Sequence, residues 1–485
     1  MDGNEQEQFP DIQRLKKSRD YPVLVRALRH PSAEVRECAV KAIRKLAEGG
    51  ETKAIIKAGV ISPLVECLRD EKTKVREEAA LALGQIARTG KVGKIIKEGA
   101  VVLLVNLLED TAPAVRKNAA YALGWIIDKG KAKVIVEAGA VPKLVRHLKD
   151  ADESVRDEAA NALKYCGAHG EDRAVVPPMV KCLTDTDAGV RWRASTVLGW
   201  IAMMCKADTV IEEGAVPLLV NNLWDDIPAV RKSAALAIAW ISVNGGEKAV
   251  IGAGAVQKLV KCLEDTDAGV RNEAGNALDC IFRKEKESML PVVVSCLDSV
   301  HAETRRWAAE AIAGSLAGGL QIKLLLKACG VPKLVNCLKD EDRYVRKNAG
   351  WAIKSLVESG GAKVVMEAGA VPLLVSCLCD NDEGVQGYAV WSVGMIASRE
   401  EESSVLSILI NCLKEKDAIV RKNAAKAIAL AVSTGCRAGY VVEAGALPLL
   451  MDCLDEQNSD VRKSAAHLLN MLAVRGEAGA VVNAG

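Results

Sequence analysis

Apolar residues recur along this chain at the spacing of a helix face, without the alternation of a strand. Val115, Ala119, Leu123 and Ile126 fall three or four apart, with Arg116, Lys117 and Asn118 between the first two. The same run opens repeatedly on a Val-Arg pair. Its arginine stands at Arg36, Arg76, Arg116, Arg156, Arg191, Arg231, Arg271, Arg305, Arg346, Arg421 and Arg462, with Gln386 in one place and Thr304 replacing Val before Arg305. The spacings are 40, 40, 40, 35, 40, 40, 34, 41, 40, 35 and 41. A fixed period near 40 with helical patterning inside each unit predicts a stacked helical array of twelve units. The short spacings come every third step: Arg76 and Arg191, Arg116 and Arg231, and Arg231 and Arg346 each stand 115 residues apart. A three-unit block is therefore repeated.

A long unit reads as three helices. In the fourth, residues 131–138 form a short first helix that Gly139 can end, because glycine tolerates a left-handed backbone. Pro142 then sits in the first turn of a second helix, where its missing N–H costs nothing. The third helix begins at Asp152, a good N-cap, and Asp187, Asp267, Asp342, Asp382 and Asp417 hold the same place. Short units lack most of the first helix, as at Val176-Pro177-Pro178 and Leu290-Pro291.

The three-helix units resemble armadillo repeats and the short ones resemble two-helix HEAT repeats, from about residue 9 to residue 476. The resemblance implies an all-α, right-handed α-solenoid of about twelve repeats with the 115-residue, three-unit super-period. Residues 1–50 read as a HEAT-like capping repeat, 51–475 as the array, and 476–485 as the start of an incomplete further repeat. Six residues before the landmark stands Asp70, Asp110, Asp150, Asp185, Asp225, Asp265, Asp340 or Asp380. In HEAT repeats such Asp and Arg residues hydrogen-bond between neighbouring units, so the resemblance implies a structural row here rather than catalytic acids.

Composition narrows the function. A net charge of +2 gives no basic stripe for nucleic acid, and no apolar run approaches the length of a membrane span. The N-terminus carries no apolar signal segment. Eight of the 15 cysteines (Cys67, Cys182, Cys262, Cys296, Cys337, Cys377, Cys412 and Cys453) precede a Leu, nine residues before the landmark. Spaced one per repeat, they are out of disulfide reach of each other and read as buried, reduced thiols, which places the protein in the cytoplasm, with nucleus or cilium as alternatives. Phosphate-binding glycine motifs, metal-ligand clusters and a nucleophile elbow are all lacking. The expectation is a non-enzyme with no cofactor, no metal and no catalytic residue.

The distinctive feature is aromatic. Counting from the landmark, positions +1, +5 and +9 form a stripe away from the helix core. Four consecutive units place Trp125, Tyr165, Trp200 and Trp240 at +9; Tyr121 and Trp192 lie on the same stripe, and Trp351 and Trp391 occupy +5. Armadillo proteins of the importin-α kind line a concave groove with this helix, using Trp at +5 and Asn at +9. Trp351 and Trp391 match that Trp, but their +9 partners are Ser355 and Met395, and no unit has Asn at +9. Backbone clamping by an Asn row therefore does not carry over. Two readings stay open: the rings anchor a partner, or they fill gaps between neighbouring third helices. The expected function is a monomeric protein–protein scaffold or adaptor, holding an extended or helical peptide segment along the concave groove. The expected partners are other proteins, with no nucleic acid and no membrane insertion. The alternatives are a HEAT-like enzyme, bilin lyase-like or metal-dependent hydroxylase-like, and nucleic-acid binding. Acidic +1 and +2 residues in early units (Glu37, Glu77, Glu78, Asp157, Glu158) against Arg306, Lys347, Lys422 and Lys463 in late ones would orient a bound segment.

Overall fold

The computed structural model describes residues 20–320, 322–399 and 403–484, so the first 19 residues of the predicted cap, and Gly485, lie outside the described residues. Each landmark residue sits on one long helix. In chain order these are α1 (Ala33–Glu48), α2 (Thr73–Arg88), α3 (Pro113–Ile126), α4 (Glu153–Cys166), α5 (Ala188–Ile201), α6 (Pro228–Ile241), α7 (Ala268–Lys284), α8 (Ala302–Ala317), α9 (Arg343–Glu358), α10 (Glu383–Ala397), α11 (Ala418–Thr434) and α12 (Ser459–Leu472). The chain is an all-α solenoid, without strands among the described residues. It divides into two compact units, Met1–Cys280 and Ile281–Gly485.

The helix starts follow from their caps. Asp152, Asp187, Asp342 and Asp382 each accept two backbone N–H groups of the first turn that no helical carbonyl can reach. Between most successive long helices lie two short ones, such as Ala132–Glu137 and Ala140–His147, joined at Gly139 with φ 75°. Cys329 fills the equivalent place at φ 54°. The three short steps carry a single helix instead: Asp172–Cys182, Lys286–Cys296 and Ser403–Cys412.

In the first unit α1 packs on α2, α2 on α3, α3 on α4, α4 on α5 and α5 on α6; in the second, α8 on α9, α9 on α10, α10 on α11 and α11 on α12. Buried Leu and Ile such as Leu83, Ile126, Leu163, Ile201 and Ile238 fill these seams, each worth roughly 1.5–3 kcal/mol. Small residues set the approach: a Cβ at Gly199 would stand 3.0 Å from Ala237 Cα.

The acid–arginine row is built as the resemblance implied. Arg76 directs Nε and Nη2 at Asp110 (2.7 and 3.2 Å) while Nη1 donates to the carbonyls of Asp70 and Glu71 at 2.8 and 2.9 Å. One guanidinium thus fastens its own loop and the next repeat together. Arg36–Asp70, Arg116–Asp150, Arg191–Asp225 and Arg231–Asp265 repeat this in the first unit, and Arg305–Asp340, Arg346–Asp380 and Arg421–Glu456 in the second. Burial works against ionisation of Asp110, yet the Arg76 guanidinium and the Ala112 amide outweigh it and hold the carboxyl below its ordinary range.

At the short steps after Arg156 and Gln386 the acid slot follows the landmark by 29 residues, not 34, and the rung changes hands. Arg156 keeps the carbonyls of Asp150 and Ala151, and Asp185 is taken by Lys149 at 2.7 Å. Gln386 keeps the carbonyl of Asp380 at 2.7 Å. At both places the next long helix reaches back: Arg193 to Asp157 (2.6 and 3.1 Å), and Asn423 Nδ2 to Gln386 Oε1 (3.0 Å).

The 14 described cysteines are all free thiols. Cys67, Cys262, Cys337 and Cys377 each donate to a Leu carbonyl of the preceding repeat, at 3.6–3.9 Å. Burial pushes the Cys67, Cys166 and Cys337 thiols up to about 12.

Candidate partner-binding face

The +9 row of the first unit is assembled from four neighbouring helices. On α3, Leu123 and Ile126 point into the core, which turns Tyr121 and Trp125 outward; both are half-buried. The two rings meet edge to face, 6.2 Å between centres at 76°. Tyr121 lies across α2, where a Cβ added to Gly84 would come within 2.7 Å of its ring. Tyr165 on α4 approaches Gly124 of α3 at 4.0 Å from the position of such a Cβ. Trp200 on α5 lies under Lys164 of α4, whose Nζ is 4.8 Å from the ring centre. Trp240 on α6 is half-buried at the same helical position, and its carbonyl accepts from Asn244 Nδ2 at 3.0 Å. Trp192 sits two turns before Trp200 on α5, half-buried, with the Arg193 guanidinium 4.5 Å from its ring centre. In the second unit Trp351 and Trp391 are half-buried, and Lys354 covers Trp391 at 4.8 Å.

The structure thus brings Tyr121 and Trp125 into ring contact, sets Tyr165 against Gly124 of α3 and Trp200 under Lys164 of α4, and leaves Trp240 at the next position of the row. Tyr121 has a packing role, since its ring occupies the groove that Gly84 leaves open. The five tryptophans at +5 and +9, three of them carrying lysines, are neither sealed nor free.

Sequence patterning did not foresee that the chain supplies its own cations. Lys129 lies 5.2 Å from the Trp125 ring centre, one helical turn on, a spacing that was available to be read. Lys164 and Lys354 reach rings on the following helix, which requires the packing to be known. The early acidic residues are also largely matched internally: Glu37 with Lys41, Glu78 with Arg44, Glu77 with Lys74 and Asp157 with Arg193. Glu158 differs. Burial lifts its carboxyl above the ordinary range against the opposing influence of Asn161 and Lys117. Beside it, burial lowers the Lys164 ammonium, with Glu158 opposing.

Trp224 and Ile227, 63% and 44% exposed, stand on the loop before α6 and escaped the sequence reading because they lie outside the helical stripe. Ile227 takes the N-cap place that Asp fills elsewhere. Among the described residues no group of three or more His, Cys, Asp or Glu side chains gathers in metal-binding fashion. Nor is any helix among them long and apolar enough to cross a membrane.

A family model for HEAT repeats matches residues 61–164, 141–239, 331–429 and 371–470, and a single-repeat HEAT model matches 21–50. This chain belongs to the HEAT-repeat family. A further model, for non-SMC mitotic condensation complex subunit 1, matches residues 198–321 of this HEAT-repeat protein. Among solved structures, an engineered protein is 30% identical over 86% of this chain and 99% of its own, with a TM-score of 0.40. A designed armadillo repeat protein is 28% identical over 54% of this chain and 100% of its own, at TM-score 0.38. Another, in complex with the peptide (KR)4, is 28% identical over 54% and 99%, at TM-score 0.37. No curated protein matches this HEAT-repeat chain.

Proposed function

We propose that this HEAT-repeat protein is a non-enzymatic scaffold that holds an extended or helical segment of a partner protein along the third-helix face of its first unit. Trp125, Tyr165, Trp200 and Trp240 are the anchors, with Tyr121 and Trp192 at the margins; Trp351 and Trp391 form a second set on the other unit. What carries the reading is the row of half-buried aromatic rings on adjacent helices, positioned by cores that do not need their outer faces. A rigid ring already half desolvated loses little entropy on contact and offers a large area, which is why interfaces favour Trp and Tyr. Lys129 and Lys164 lie over two of the rings, so an entering segment meets ammonium groups as well as indole. Such a site takes apolar side chains against the ring edges and carbonyl or carboxylate oxygens at the lysines. His147 lies 3.1 Å from Asp150 and His30 Nδ1 accepts the Ser32 amide at 3.0 Å, so both rings are engaged in local structure, which supports a non-catalytic role.

The test compares proteins recovered with the wild-type chain and with Trp200→Ala and Trp240→Ala. Loss of specific co-purifying proteins with a melting temperature within a few degrees of wild type is the expected result. A large drop in melting temperature with unchanged recovery assigns the rings to packing and removes the proposal.

A further inference from the structure

The second unit carries cations that the aromatic row does not use. On its third-helix face Arg306 belongs to α8, Arg343, Tyr344 and Lys347 to α9, and Lys422 to α11. Tyr344 is 43% exposed. Two guanidiniums flank its ring, Arg343 at 4.6 Å and Arg306 at 5.5 Å from the centre, and Arg343 Nη2 donates to its hydroxyl at 3.0 Å. Lys347, one turn on, lays its stem over α10, where a Cβ added to Gly384 would stand 2.9 Å from Lys347 Cε.

Several cations of the first unit are matched by carboxylates, although Lys117 and Lys232, in the slot that Lys347 holds, meet none at ion-pair distance among the described residues. There Lys41, Lys74 and Arg44 each hold a carboxylate. Arg306 meets Glu303 at 2.7 Å, but among the described residues Arg343, Lys347 and Lys422 face no carboxylate at ion-pair distance. Cations that hold no carboxylate of their own attract an anionic ligand.

We propose that this edge of the second unit binds an acidic segment of a partner protein, with Tyr344 as its apolar anchor and Arg343, Lys347 and Lys422 receiving its carboxylates. Neighbouring helix axes lie about 8–10 Å apart, so α9 to α11 spans about 20 Å. An extended peptide covers that distance in about six residues. The Arg343 fork suits a bidentate carboxylate, and the stacked Tyr344 ring holds the guanidinium in place for it. Exposed Glu310 and Glu383 interrupt the same face. Side-chain carboxylates spaced along a peptide pass between them, whereas the close-set phosphates of a nucleic-acid strand meet them at every step.

The experiment uses the full chain and a fluorescein-labelled peptide of about a dozen residues repeating Asp-Glu-Leu, read by anisotropy at about 50 mM salt. The comparison probes are the Asn-Gln-Leu peptide of equal length and a single-stranded oligo-dA. The acidic peptide is expected to bind saturably and the amide peptide not. Arg343→Gln and Lys347→Gln are each expected to weaken binding about fivefold or more, and the Arg343→Gln/Lys347→Gln/Lys422→Gln variant to abolish it. Trp200→Ala is expected to change nothing, which separates this surface from the aromatic row of the first unit. Helical content by circular dichroism identifies any variant that fails to fold, and Lys347→Arg, which keeps the charge, should then restore binding. Absence of saturable binding, or binding that the triple variant leaves intact, overturns the proposal. Tighter oligo-dA binding lost in the same variants reassigns the surface to nucleic acid.

Discussion

Replacing Asp225 by Asn tests whether the acid–arginine row holds the repeats in register. Asp225 is almost buried, and receives the Arg191 fork at 2.6 and 2.9 Å and the Ile227 amide at 3.0 Å. Arg191 also holds the carbonyls of Asp185 and Thr186. In Asp225→Asn the carbonyl oxygen can still receive the amide, but the charge is gone and one of the two guanidinium bonds faces an NH2 group. A hydrogen bond to a charged group in such a setting is worth about 1.5–3 kcal/mol, so a loss of about 2 kcal/mol is expected. Repeat arrays need not unfold in one step, so the readout should be local. Amide hydrogen exchange at the first turn of α6 should quicken by roughly thirtyfold. Asp185→Asn is the internal control. Its carboxylate receives the exposed Lys149 and the Asp187 amide but no guanidinium fork, and exchange after it should stay within threefold of wild type. Equal effects of the two substitutions, or a change below threefold in Asp225→Asn, would refute the claim that the guanidinium fork secures the stack.

Further outcomes follow from the same contacts. The row carboxylates Asp70, Asp110, Asp150, Asp225, Asp265, Asp340 and Asp380 are held below their ordinary range when folded. Their stabilisation is therefore complete above the unfolded value of about 3.9 and is lost as pH falls through the folded values, so thermal melts should be flat from about pH 5 to 7 and drop below about pH 4. Gly84→Ala places a methyl group 2.7 Å from the Tyr121 ring and should cost about 1–3 kcal/mol in denaturant titration, with Tyr121→Ala in the same chain relieving the clash. Ile227→Asp restores the cap that other long helices have and should add about 0.5–1 kcal/mol; a loss of stability would mean that Ile227 packs more tightly than its exposure indicates. At pH 8 a thiol reagent should modify the exposed Cys329 and Cys379 quickly, while Cys67, Cys166 and Cys337 react only on unfolding.

Much of the architecture was legible because each repeat writes the same physical requirement again. The Val-Arg landmark, the Asp N-caps and the glycine between the two short helices are local signals, and their recurrence removes the ambiguity any one of them carries alone. The acid–arginine row came from family resemblance, and its repair at the short steps could not be read: Arg193 and Asn423 look like ordinary helix residues until α4 meets α5 and α10 meets α11. The aromatic stripe was visible as spacing. Its half-burial, and the lysines over Trp200 and Trp391, depend on how far one helix lies from the next. Trp224 and Tyr344 were missed as surface features because their loop and first-turn positions belong to no periodic face.

The exchange of fastenings between α4 and α5 has a mechanical consequence. Elsewhere in the first unit a row carboxylate is locked by a fork that is shielded from water, but at this seam Asp157, half exposed, receives Arg193 instead. Ions screen that bond more readily than the others. Pulled from its ends, or rinsed in strong brine, the first unit has a preferred place to yield, and the rings of Tyr165 and Trp200 stand on opposite sides of it.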